Sequence, residues 1–260
     1  MQVNSYQQQI EQLEQFKTKV LDSVQNRQFN QESLCGLIQD VFVQNKSEVT
    51  YDDKKLKELQ AGAFSEKVDD VFKFVFPLSK MNKVQNKKLE ELTKSKSINS
   101  FADLFGGIVH EVKHGLYETF CGDKQDVLYN RCAKIVKDEN VADKIMDEDL
   151  MNLLDKCTDG DYYKPGQVSG GITRIANKYG QKDNKLFQKV IFLSLLDDIK
   201  NEHEAYLEGF KAKREIIGDK ARFYGMKFAV AIEDNDLMRE IAQEAYLNKF
   251  MPVKKLNRYF

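Results

Sequence analysis

Only three prolines, Pro77, Pro165 and Pro252, interrupt the 260 residues of this chain. Proline vetoes helix locally, because it removes a backbone donor and clashes with the preceding turn. Long windows therefore stay open to helix, and within them apolar residues return every three or four positions. Ile10, Leu13, Phe16, Val20, Leu21 and Val24 predict a first amphipathic helix, and Leu34, Leu37, Ile38, Val41 and Phe42 a second. Val68, Val71, Phe72 and Val75 predict a third that ends before Pro77. Residues 100–103, Ser-Phe-Ala-Asp, form a capping box with Asp in the place of Glu. They are expected to open a helix that runs to about Phe120, with Gly122 just past its end. A long helix is expected over about 184–214, and two more over 219–233 and 235–250. Only 73–76 and 227–232 have strand character, and both fit helices as well. The prediction is a mainly α, multi-helix fold with at most a few short strands.

Residues 87–96 are charged and lead into Ser95-Lys96-Ser97, read as a hinge between an N-terminal helical region, 1–95, and the region 96–260. Residues 158–171 read as the clearest loop, but their glycines form neither G-x-G-x-x-G nor a P-loop. Lys and Arg number 40 against 41 Asp and Glu, a net charge of −1, so no global field favours nucleic acid or an anionic membrane. The apolar runs are too short to span a bilayer, and the polar N-terminus does not read as a Sec signal peptide. Cys35, Cys121, Cys132 and Cys157 lie far apart with no C-x-x-C pair, as in a reduced, cytoplasmic protein. Export without a Sec signal, as for an effector or toxin, fits the same residues.

Two of the three histidines stand in His110-Glu111-Val112-Lys113-His114, an H-E-x-x-H. Residues four apart share a helix face, so both imidazoles can reach one metal ion, with Glu111 beside it as a proton acceptor. Gly106 and Gly107 precede His110 by four and three residues. Glycine in mid-helix costs about 1 kcal/mol against alanine. A close contact is therefore expected, either a tight helix crossing or clearance for a substrate or metal. A catalytic zinc takes three protein ligands and leaves one position open. His110 and His114 supply two, and the third is sought in Asn201-Glu202-His203-Glu204-Ala205-Tyr206. Glu202, His203 and Glu204 are the candidates. Glu202, Ala205 and Gly209 share one stripe of that helix, and His203, Tyr206 and Phe210 lie on a more apolar neighbouring stripe. The form H-E-x-x-H-x-x-G-x-x-H is excluded by Tyr117 and Phe120.

HEVKH followed on a later helix by N-E-x-x-A resembles the gluzincins, zinc metallopeptidases whose third ligand is a glutamate. The resemblance implies that His110, His114 and Glu202 bind Zn2+ and that Glu111 is the general base. The activity implied is cleavage of a protein or peptide by metal-activated water. It covers two short motifs, with 88 positions between His114 and Glu202 (202 minus 114). Such enzymes bind peptide along an exposed edge strand, and no segment of this sequence reads as one. Tyr206, one turn beyond Glu202, is placed to pack or to donate to an oxyanion. The alternative is a non-enzymatic helical protein-interaction protein. There HEVKH is a stretch of ordinary amphipathic helix, with Ile108, Val112 and Leu116 packing and the histidines solvated.

Overall fold

The computed structural model describes residues 5–136 and 165–222. Its architecture is mainly α, as expected, with one three-stranded sheet. The chain divides into two compact units, Met1–Cys121 with Glu202–Gly225, and Gly122–Asn201 with Met226–Phe260. Residues 95–97, read as a hinge, lie inside the first unit.

The first two helices form where periodicity places them. Helix α1, Ser5–Gln25, buries Leu13, Phe16, Val20 and Val24. Helix α2, Gln31–Val41, starts at a capping box: the Asn30 side chain accepts from the Ser33 amide, and the Ser33 hydroxyl accepts from the Asn30 amide, each at 2.9 Å.

The third expected helix is instead a β-hairpin. Strands β2, Phe64–Val68, and β3, Val71–Phe76, pair antiparallel with Val68 opposite Val71. The turn is therefore Asp69-Asp70, with Asp69 at φ +54°, the left-handed backbone that two-residue hairpin turns require. Strand β1, Lys46–Tyr51, pairs parallel with β3 on its other side, giving the order β1-β3-β2. The physical reason is β3's central place. Phe72, Phe74 and Phe76 are buried on one face and Val75 on the other, so apolar residues fall on both faces and can also be fitted to a helical spacing. The Phe42 ring lies against Phe72 and Phe74, with centroids 4.8 and 5.6 Å away.

Helix α3, Asp53–Glu58, links β1 to β2, while α4, Leu78–Val84, and α5, Leu89–Lys94, follow Pro77. Helix α6, Ile98–Val136, carries HEVKH. It begins before the expected cap, since the Phe101 amide already bonds the Ser97 carbonyl at 3.0 Å, so Ser100 lies inside it. It also continues through Gly122, because glycine stops a helix only where the backbone turns left-handed. Helix α7, Pro165–Lys178, takes the second half of the expected loop. Pro165 sits at its first position, where the missing amide costs nothing. Residues 158–164 lie outside the described ones.

Helix α8, Lys185–Ile217, matches the expected long helix, with the Asn184 side chain accepting from the Phe187 amide at 3.0 Å and Gly218 at φ +59° just past its end. Gly218–Lys220 is a 3-10 turn, so the helix expected over 219–233 does not begin at 219; its remainder from 223, the helix expected over 235–250 and the 227–232 segment lie outside the described residues. Leu104, Phe105, Ile108, Val112 and Leu116 of α6 join the core formed by α1, α2 and β3, with Ala212 added from α8. In the second unit Ile172, Ile175 and Ala176 on α7 and Phe187 and Ile191 on α8 are buried. Among the described residues no helix is long and apolar enough to cross a membrane.

Candidate metal centre

The stretch of α6 around the motif is apolar on most sides: Ile108, Val109, Val112 and Leu116 are fully buried. That packing fixes the helix rotation and leaves His110 and His114 together on one partly exposed face. Their Nε2 atoms lie 3.1 Å apart, and the rings meet edge to face at 79° with centroids 4.7 Å apart. Two nitrogen ligands of one tetrahedral metal ion with bonds near 2.0–2.1 Å sit about 3.3 Å from each other, so the spacing fits a shared ion as well as an N–H···N hydrogen bond between the rings. Glu111 is buried at 6 % exposure, with Oε1 4.0 Å from His110 Nε2. His110, Glu111 and His114 each offer one ligand atom within 4.8 Å of the others, a donor set suited to a divalent metal ion.

Glu111 is held from the sheet. The Ser65 hydroxyl, on β2, donates to Glu111 Oε2 at 2.6 Å, which leaves Oε1 on the histidine side. Residues paired across two strands share a face. Ser65 lies opposite Phe74 and Lys67 opposite Phe72, so all four look toward α6, where Lys67 Nζ also approaches Glu118 at 3.9 Å. Strand β2 is the end strand of the sheet. Among the described residues no further strand pairs with its outer side, so an edge-strand candidate lies beside the motif helix, where the sequence showed none.

The other wall is α8. A Cβ on Gly209 would come within 2.7 Å of the Gly106 carbonyl oxygen and 3.3 Å of the His110 Cβ. Gly106 thus answers to a tight helix crossing, one of the two expected reasons, whereas a Cβ on Gly107 would meet only the Ala63 Cβ at 3.4 Å. One turn earlier on α8 the Tyr206 ring packs edge to face on His110, centroids 4.5 Å apart, so Tyr206 restrains the first histidine of the motif. Gly209 meets Gly106, Tyr206 meets His110 and Glu204 meets Lys113, so the helices run antiparallel here.

Of the three candidates for a third ligand, Glu204 is buried and accepts from Lys113 Nζ at 3.2 Å, away from the histidine pair. Glu202 and His203 lie on α8, Glu202 one turn before Tyr206, and their side chains are outside the described ones. Cys35 is a free, half-buried thiol apart from the site.

Ser65 and the pairing of Lys113 were missed by sequence reasoning. Ser65 has no local signal, since its contact with Glu111 spans 46 positions. Lys113 had one: a helix apolar nearly all round is buried, so a lysine in its midst must be paired. Compared with protein-family models, with curated proteins and with solved structures, the chain matches none.

Proposed function

We propose that this chain is a zinc-dependent metallopeptidase, with His110, His114 and Glu202 as metal ligands and Glu111 as general base. The observation that carries the reading is the meeting of two imidazole nitrogens 3.1 Å apart with a buried carboxylate whose other oxygen is tethered by Ser65. Glu202 is chosen because it shares the stripe of Ala205 and Gly209, the stripe of α8 whose Gly209 crosses α6 at Gly106. Zinc, when bound, supplies Lewis-acid chemistry: it lowers the pKa of water to about 7 and polarises a carbonyl.

The chain's own residues do the rest. Glu111 Oε1 takes a proton from the attacking water, whose oxygen bonds to the scissile carbonyl carbon. When the C–N bond breaks, Glu111 returns that proton to the leaving nitrogen. Ser65 keeps Oε2 occupied, so the basic oxygen faces the reacting atoms. An extended peptide adds as a further strand along the outer edge of β2, where backbone hydrogen bonds hold it irrespective of sequence. This edge supports a protein or peptide substrate over a small molecule.

The test uses the untagged chain and its Glu111→Gln variant. Glutamine keeps the shape and the contact with Ser65 but cannot accept a proton near neutrality. Both proteins are expected to hold about one zinc per chain, while cleavage of unfolded casein by the variant falls about 100- to 10,000-fold. Undiminished cleavage removes Glu111 as the base. Absence of zinc from wild type after supplementation returns HEVKH to a packing role in a helical interaction protein.

A further inference from the structure

Among the described residues of the motif helix Lys113 is the most deeply buried charge, with none of its side chain exposed. It projects from the turn that carries Glu111 and His114, yet it faces neither the sheet nor the histidine pair. Its ammonium donates to Glu204 Oε2 at 3.2 Å on α8 and to Gln9 Oε1 at 2.9 Å on α1, and lies 5.5 Å above the Tyr117 ring. Gln9 and Glu204 are themselves buried. One polar cluster thus joins three helices inside the first unit.

A buried ion pair is weak evidence for stability, because an apolar pair of like volume often serves as well. Its better attested use is to fix register, since a slipped arrangement parts the charges in an apolar interior. The neighbouring contact between α6 and α8 adds an ion pair, Lys213 Nζ to Asp103 Oδ1 at 2.6 Å, but both of its side chains are partly exposed, so water can replace either partner, which it cannot do at Lys113. At Gly106 and Gly209 the helices meet backbone to backbone, with the Lys213 side chain lying over Gly106 and the His110 Cβ beside Gly209. A slip of α8 by one turn, about 5.4 Å, would carry residue 202 past His114 and Tyr206 off His110.

We infer that Lys113 is a positioning residue: with Glu204 and Gln9 it pins the register of α8 on α6, and so sets the residue at 202 opposite the histidine pair. This rests on the metallopeptidase reading for its consequence at the metal, but the register itself is measurable without any metal.

The experiment compares the full-length chain with the double variant Lys113→Met/Glu204→Met. Thermal unfolding, titration with zinc alone, and the visible spectrum of the cobalt(II) form are recorded for both. The distance between spin labels, carried on unnatural amino acids at Thr119 and Lys211, is measured without metal. The double variant is expected to unfold cooperatively at or above the wild-type midpoint. Its label distances should nonetheless broaden or shift by up to about one turn, its zinc affinity fall about 10- to 100-fold, and its cobalt bands change. A merely structural pair would move the midpoint and leave the other readouts alone. An unchanged label distance overturns the inference, and so does a double variant that does not fold, for then the pair holds the fold and not its register. If wild type takes up no zinc, the metal reading fails while the label distance still decides the pin.

Discussion

Where α6 crosses α8 at Gly106, backbone approaches backbone. On the side that meets the sheet, side chains do the holding. Gly106 and Gly107 are adjacent and mark the divide. A Cβ on Gly106 would lie 2.9 Å from the Gly209 carbonyl oxygen and 2.5 Å from the Lys213 Cγ, whereas one on Gly107 would rest at 3.4 Å from the Ala63 Cβ, an ordinary contact. The α8 side therefore has no slack, because a main chain cannot swing aside. The sheet side holds Glu111 through one hydroxyl and Glu118 through one lysine, groups that can reorient. The site is built between a rigid wall and an adjustable one, and the motif carboxylate belongs to the adjustable side.

The sharpest break of this contrast is Gly209→Ala. The new methyl group would sit 2.7 Å from the Gly106 oxygen. Overpacking of this kind costs roughly 2–3 kcal/mol, more than the ~1 kcal/mol that alanine returns in helix propensity. Denaturant unfolding should show the loss, and a neutral result would mean that the two helices do not touch there.

Ser65→Ala tests the other wall. It removes one hydrogen bond to a buried carboxylate, so stability should fall by about 1–2 kcal/mol. A double-mutant cycle with Glu111→Ala, which removes the acceptor, should return a coupling of at least about 0.5 kcal/mol; strict additivity would dissolve the contact. The smallest effect has the opposite sign. Gly107→Ala should stabilise by up to about 1 kcal/mol, since it gains helix propensity without a clash. If it destabilises as Gly209→Ala does, the two walls are equally tight and the contrast fails.

The rigid wall was also the legible one. Gly106 and Gly107 in mid-helix announced a close contact, and the three-four spacing of α1, α2, α6 and α8 placed the helices that make it. The sheet was hidden for a physical reason. Val68, Val71, Phe72 and Val75 satisfy helical spacing, yet they belong to a hairpin whose inner strand carries apolar residues on both faces, which blurs the alternation. The cue that could have decided it was Asp69-Asp70, two residues able to take the tight turn, at the join of the two strands. The histidine pair and Glu111 were readable because helix geometry alone brings them together. Ser65 and Gln9 were not, for each reaches its partner across a long stretch of chain, 46 positions for Ser65 and 104 for Gln9. No local pattern encodes such a meeting.

The crossing of Gly106 with Gly209 also has a consequence in time. A ribosome releases the chain in order, at about 5–20 residues per second. Tyr206 follows His110 by 96 positions (206 minus 110). The motif helix therefore waits roughly 5–20 s for the segment that packs on it. During that interval the Lys113 ammonium has no Glu204 to meet and the Gly106 face is bare. A nascent chain, or a fragment that stops short of α8, carries the whole HEVKH sequence without the wall that closes round it.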